Sequence, residues 1–408
     1  MLISIFRFFD GHPAAYWSLA GLASCLFAGW TAWTFTQRGR NLPGTVHAVA
    51  AGATMLLVLL AWRWPPLFGV HELNPDESQL IAGALTLKED PVFWRSVDGT
   101  TSGPLNFFAL LPVHALGVPL DYFAARLSGL LMVWGTLLAL YALLRLEFAA
   151  GAVLLGLSPG LAMFAAVTDG DFIHYSSEHL SILLIALSAW LLWRCRKRAA
   201  SGQPFDRLSW IAAGALMGML PWAKLQSAPL AATLALWGTS IAMSRTDLAW
   251  AARVREVMKL AVASLVPTLG FFASILAFDL WEHFYTCYIE NNLIYASSDF
   301  TIKGSILKLV ALSAATGSMH AFAVAPLAFG GLWLAAQTIR AQRPNPLLWP
   351  ASALLAVSLV TVVAPRQGFH HYLLYVIPAL ALVSALIFGE LRSLFPQRDR
   401  RLVLGLAF

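Results

Sequence analysis

Residues His179 to Arg198 read HLSILLIALSAWLLWRCRKR. No charge interrupts Leu180 to Trp193; then four bases, Arg194, Arg196, Lys197 and Arg198, fall around Cys195. A charge-free apolar run that stops in a basic knot reads as a helix crossing a bilayer and ending at its cytoplasmic surface. The rest of the chain agrees. Its 408 residues are 59% hydrophobic and 12% charged, with mean hydropathy +0.69, against roughly 25% charged residues in soluble domains. Spanning helices need about 20 apolar residues, fewer when neighbours shield them. Runs of that kind lie near 14–36, 44–62, 121–144, 149–167, 179–193, 208–222, 225–243, 257–278, 317–339, 347–364 and 370–389. The expected fold is an all-α polytopic membrane protein of about eleven spans, one domain over residues 1–408 with no soluble domain before or after it. A last apolar run from Leu402 is too short to span, and the N-terminus reads as an uncleaved segment. Cys25, Cys195 and Cys287 are scattered, with no CxxC pair to suggest a zinc ribbon or a disulfide framework.

Alternating outward from the basic knot puts the N-terminus outside. The inner side then holds 18 of the 27 bases and 6 of the 21 acids, and the outer side the remaining 9 and 15. The resulting +12 and −6 are the asymmetry that the positive-inside rule asks for. Nine of the ten histidines, all but His47, fall in outer loops or at outer helix ends. Acids and histidines carry protons and bind metals, so the expected working site opens outward. The alternative is that polar residues collect wherever they can leave the lipid.

Two stretches are long enough to be sizeable outer loops, 63–120 and 279–316. The first opens with Asn74-Pro75-Asp76-Glu77, and adjacent carboxylates at the mouth of a span are costly without water, a cation or a partner. Within it, Leu80, Ile81, Ala84, Leu85 and Leu87 are spaced for a short helix along the membrane surface. Thr100 to Pro104 reads as the start of a second such helix over Leu105–Leu116, stopped by Gly117-Val118-Pro119.

The order of these features resembles the GT-C glycosyltransferases, most closely the lipid A aminoarabinose transferase and protein O-mannosyltransferase branch. The residues that carry the resemblance begin with Asn74 to Ser78, Ser102-Gly103-Pro104-Leu105, and Gly117 through Ala125-Arg126-Leu127. Gly218-Met219-Leu220-Pro221-Trp222-Ala223-Lys224 is similar to the family's Gly-x-x-x-x-Thr-Lys hairpin, with Ala223 where threonine is common. His370-His371-Tyr372-Leu373-Leu374 through Pro378 is similar to its late helix. Each motif is short; their order along most of the chain is the specific part.

In chemical terms, one of Asp76 and Glu77 serves as general base on an acceptor hydroxyl while the other orients it or holds a cation; a hydrophilic turn is the plain alternative. The resemblance assigns the base to Asp76. It also implies that Lys224 contacts the phosphate of a lipid-linked sugar, where a fixed cation stabilises a departing phosphate most in the transition state. Without that role, Lys224 is a lysine snorkelling to an interface. Arg366, His370 and His371 form an outer cluster suited to phosphate, with His371 carrying the better family match. Glu178 is placed to complement Asp76 or to bind sugar hydroxyls. A divalent cation (Mg, Mn or Zn) on Asp76 and Glu178 is a further expectation. With Asp169, Asp171 and His174 close by in sequence, a metal site there is also conceivable, but their spacing fits no specific ligand pattern and a solvated loop is the preferred reading. Tyr288 and Glu290, among Trp281, Phe284, Tyr285 and Asn291, combine aromatic and polar groups as sugar sites do; the family's arginine is replaced here by Ile294-Tyr295.

The expected function is therefore transfer of a sugar from a polyprenyl-phosphate donor to a lipid, glycan or protein acceptor, with inversion. It takes place at the outer face of a bacterial inner (cytoplasmic) membrane, with the lipid bilayer as a partner and no nucleic acid. A transporter or flippase for a lipid-linked saccharide, or a non-catalytic GT-C-like subunit, are the alternatives.

Overall fold

The computed structural model describes residues 8–9, 11–297, 301–315, 330 and 345–394. Among them there are helices and no strand. That follows from the medium that the sequence calls for, since lipid offers the backbone no hydrogen-bond partner and a helix satisfies every group within one segment. The long helices are α1 (Pro13–Trp33), α2 (Gly44–Trp62), α3 (Pro75–Glu89), α4 (Tyr122–Leu144), α5 (Ala150–Ala166), α6 (Ser177–Ala200), α7 (Arg207–Ala223), α8 (Ala228–Met243), α9 (Trp250–Ala277), α10 (Leu348–Val363) and α11 (Val376–Leu394). Except for α3, each falls on an apolar run; the run 317–339 lies outside the described residues. Among the described residues, five helical segments are long and apolar enough to cross a membrane, Gly44–Trp62, Tyr122–Leu144, Ser177–Ala200, Trp250–Ala277 and His370–Glu390. The chain is an all-α integral membrane protein.

Burial sorts these segments. In 370–390, 89% of the most apolar window is buried, against 17% in α9, so the former is central and the latter peripheral. Val262, Leu265, Val266, Leu269 and Leu276 form an exposed apolar stripe on α9 at helical spacing, the face that lipid covers. The basic knot extends α6 beyond its apolar run. Arg194 pairs with Asp206 at 3.1 Å and Lys197 with Glu147 at 3.0 Å, so apolar stems stay on the helix while charges reach partners at its end.

Two pairs of helices lie parallel, as alternation requires of next-but-one neighbours. The Trp210 indole donates to the Glu256 carbonyl at 2.9 Å and the Trp222 indole to Thr268 Oγ1 at 3.0 Å. Between them Gly214 and Gly218 sit against Leu260 and Ser264. Every step is four residues on both helices, a small-residue seam that lets backbones approach closely. On α4, Gly129 meets His179 and Gly135 meets Leu183 in the same sense. A Cβ on Gly218 would lie 1.9 Å from the Ser264 carbonyl oxygen, whereas one on Gly270 meets nothing within 4 Å. Gly218→Val is expected to destabilise by about 3 kcal/mol, the upper end of overpacking costs. Gly270→Ala is expected to be neutral or slightly stabilising, and thermal unfolding in detergent checks both.

The 63–121 connection is folded onto one end of the bundle, here called the loop end. Leu80, Gly83, Ala84 and Leu87 of α3 are buried, while Leu85 is exposed. The helix therefore packs into a satellite apolar cluster with Phe93, Trp94, Phe107, Trp222 and Phe284 rather than only lying on a surface. The expected helix over 105–116 is two short ones, Pro104–Phe108 and Leu111–Ala115, because Pro112 cannot donate into a continuous ladder. The expected loop 279–316 is largely helical where described, including a π-helical turn at Tyr285–Glu290 and a helix at Ile302–Ala315.

Candidate functional site

Three segments distant in sequence meet at the loop end. The first is the start of α3. Asn74 is its N-cap, in extended conformation, and its side-chain oxygen accepts the Asp76 N–H at 2.9 Å. Pro75 follows at the first helical position, where no N–H is needed. Asp76 and Glu77 then occupy the first turn, which favours carboxylates through the helix dipole. One helical step turns them apart: the Asp76 side chain is 53% exposed and that of Glu77 is fully buried.

Glu77 is committed to Arg126. The guanidinium donates from Nε at 3.0 Å and Nη2 at 2.8 Å to its two oxygens, and the Tyr175 N–H adds a third bond at 3.2 Å. The remaining Arg126 donors go to the carbonyls of Pro66, Gly69 and His71, each at 2.7 Å. All five guanidinium hydrogens are used. The pair holds α3, α4 and residues 66–71 in register, and both oxygens of Glu77, expected from the sequence as a catalytic carboxylate, are engaged inside the protein.

The second segment is 168–179, expected as a solvated loop. It is instead fastened to both neighbours. Asp169 forms a short helical turn with Gly170–Phe172 and meets His370 Nδ1 at 2.6 Å. Asp171 accepts from Asn74 at 2.9 Å and lies 3.6 Å from His371 Nδ1. Burial opposes ionisation of Asp171, but His371 and Asn74 more than offset it and hold the carboxyl well below its ordinary range. His174 is completely buried. Its Nδ1 lies 3.0 Å from the Gly170 carbonyl oxygen, to which it donates, while Nε2 has no hydrogen-bond partner among the described residues. Burial and the neighbouring His371 push its pKa down, so it is neutral at pH 7 with Nε2 as a free lone pair.

The third segment, His370–Tyr375, is a tight helical turn leading into α11. His371 Nε2 is 4.0 Å from Asp76 Oδ2, and its ring stands perpendicular to His174 at 5.6 Å between centroids. Asp76, His174 and His371 each offer a donor atom, all within 4.8 Å of one another. Asp76 and His371 were both legible from the sequence. His174 was named only with Asp169 and Asp171 as a conceivable metal site and set aside for a solvated loop, because nothing in its spacing announces that a polar loop will bury it.

Glu178 and Lys224 are brought together, but with each other. Lys224 caps α7 and its ammonium pairs with the fully buried Glu178, 4.7 Å from the Tyr372 ring centroid; Tyr372 and Tyr295 share a 2.9 Å hydrogen bond. The structure thus gives Glu178 to Lys224, not to a cation shared with Asp76, because a buried ammonium needs a carboxylate more than an exposed site does. The same contact neutralises the charge expected at a donor phosphate. Lys224→Met is expected to lower the unfolding temperature by leaving Glu178 buried and unpaired, and adding Glu178→Gln should recover much of the loss. If Lys224→Met unfolds with the wild type, the pair is not structural.

Arg366 is exposed on left-handed backbone, φ 59°, and its guanidinium has no hydrogen-bond or ion-pair partner among the described residues. Tyr288 is not open to a sugar: it is 2% exposed, its hydroxyl donates to the Pro221 carbonyl, and its ring stacks on Trp222. Burial pushes its pKa far up. Glu290 is exposed. Beside the site, a cavity of about 390 Å³ is lined by Tyr16, Trp17, Trp62, His71 and Leu73 among others, within the size range of ligand pockets.

No family model, no curated protein and no solved structure matches the chain.

Proposed function

We propose that this protein is a GT-C-like integral membrane glycosyltransferase of about eleven spans. Its site faces the outer side of a bacterial inner membrane, and it moves a sugar from a polyprenyl-phosphate donor to an acceptor displayed there. The observation that carries the reading is the exposed carboxylate of Asp76 facing His371 and His174, at the residue that the motif order marks as the base. Asp76 takes the proton of the acceptor hydroxyl as it attacks the anomeric carbon with inversion, and the polyprenyl phosphate leaves. Arg366, exposed and without an ion-pair partner among the described residues, meets the charge that develops on that phosphate. Lys224, neutralised by Glu178, shapes the wall behind them. The cavity beside residues 66–73, walled by Tyr16, Trp17 and Trp62, suits an apolar chain with a polar head.

The buried ion pairs fit a site at a membrane surface better than a path through it. Arg126 is in the first two turns of α4, Glu178 is the second residue of α6, and Lys224 follows the last residue of α7. A transport path expects ionisable groups near mid-span. Proteoliposomes given labelled polyprenyl-phosphate sugars and bacterial envelope acceptors separate the readings. Transfer of label to an acceptor is the expected result; label crossing the bilayer with its phosphate bond intact would mean transport.

A further inference from the structure

The geometry points to a metal site: we propose that Asp76, His174 and His371 bind one divalent first-row transition-metal ion, of the zinc type, with a coordination position left open. The proposal deepens the reading of Asp76 as the reactive centre and rests on that reading only for the use made of the ion.

Three observations carry it. First, the donors converge from three separate segments, with one atom of each within 4.8 Å of the others. An ion bonded at about 2.0–2.1 Å holds tetrahedral ligand atoms about 3.3–3.5 Å apart, so closure needs about an ångström of movement. Second, His174 is oriented as a ligand. Its Nδ1 is fixed by the Gly170 carbonyl at 3.0 Å and its Nε2 is buried without a hydrogen-bond partner among the described residues. A ligating histidine characteristically gives its other N–H to a carbonyl or carboxylate, which sets tautomer and ring angle. A buried imidazole nitrogen with nothing to bind is otherwise an uncompensated cost. Third, His371 is buried between two carboxylates, with Nε2 4.0 Å from Asp76 and Nδ1 at an ion-pair separation of 3.6 Å from Asp171. Asp171 is itself held by Asn74 at 2.9 Å.

The donor set selects the ion. Two imidazoles and one carboxylate suit zinc and its first-row neighbours, whereas magnesium and calcium take oxygen ligands. Three protein ligands leave a fourth position, as in catalytic rather than structural zinc sites. Both histidines are buried and Asp76 is half exposed, so the open position lies on the side from which a substrate oxygen arrives. The set differs from the pairing of Asp76 with Glu178 expected from sequence.

The test is metal content and affinity of the purified full chain, independent of turnover. After chelator dialysis, zinc is returned at micromolar free concentration and bound metal is counted by mass spectrometry, with magnesium and manganese as competitors. Visible absorption of cobalt in place of zinc reports the ligand geometry. One equivalent of zinc is expected, not displaced by millimolar magnesium. His174→Gln and His371→Gln, which keep side-chain bulk, should each weaken binding by more than about 100-fold, beyond the usual cost of losing an outer-shell partner. His283→Ala, on the exposed second loop, should retain full stoichiometry. Less than one equivalent in the wild type, or undiminished binding in both glutamine variants at unchanged unfolding temperature, overturns the proposal. Sugar transfer by demonstrably metal-free protein overturns it while leaving the transferase reading intact; zinc bound at these residues without any transfer does the reverse.

Discussion

Asp76→Asn is expected to abolish sugar transfer while leaving the protein folded. Loss of a general base typically costs 10²–10⁴-fold in rate, about 3–5 kcal/mol of barrier, and asparagine preserves shape while removing both the charge and the proton acceptor. The fold has little reason to respond. The side chain is 53% exposed, the titratable group that faces it is His371 at 4.0 Å, and the N-cap bond from Asn74 uses the backbone N–H of Asp76. Losing a carboxylate from the first turn costs about 0.3–1 kcal/mol. Donor affinity should hold within a few-fold, since the proposed phosphate contact belongs to Arg366. Turnover by the purified variant at the wild-type rate would remove Asp76 from the chemistry.

The next residue should behave in the opposite way. Breaking the Glu77–Arg126 pair is expected to destabilise by about 3–5 kcal/mol, because each single substitution strands a charge in a site that excludes water. Both side chains are essentially inaccessible, 0% and 1%. Arg126→Met should be the more damaging of the two, since it also orphans the carbonyls of Pro66, Gly69 and His71, at about 1–3 kcal/mol for each that water cannot reach. Glu77→Gln keeps an acceptor for the guanidinium and should be milder than Glu77→Ala. Indole fluorescence during thermal unfolding in detergent gives the order. An Arg126→Met variant that melts with the wild type would show that the clamp does not hold α3 in place.

That neighbouring carboxylates serve chemistry and structure separately explains what the sequence could and could not reveal. Apolar runs long enough to cross a bilayer form helices, so the helices at 44–62 and 122–144 were legible almost to the residue, while the run 179–193 stopped short of the basic end of the helix 177–200. The seam of Gly214 and Gly218 was invisible, since small residues in an apolar run give no sign of which neighbour they admit. Asp76 stood out through its motif, yet the rotation that exposes it and buries Glu77 depends on where α3 begins and on an arginine 49 residues away. Lys224 and Glu178 were each noted, but their pairing joins positions 46 apart. His174 is the clearest loss. The loop that carries it looked solvated because its aspartates are polar, while their partners, Asn74 and His370, lie 97 and 201 residues distant.

The most direct test of the account is a stoichiometric one. Purified protein in lipid nanodiscs is given a panel of doubly labelled polyprenyl-phosphate sugars with envelope acceptors, and the released polyprenyl phosphate is counted against the sugar transferred. One phosphate released for each sugar joined to an acceptor, with inverted anomeric configuration and with Asp76→Asn inactive, is the predicted result. Cleavage of no donor in the panel, or cleavage that continues unchanged in Asp76→Asn, would contradict it.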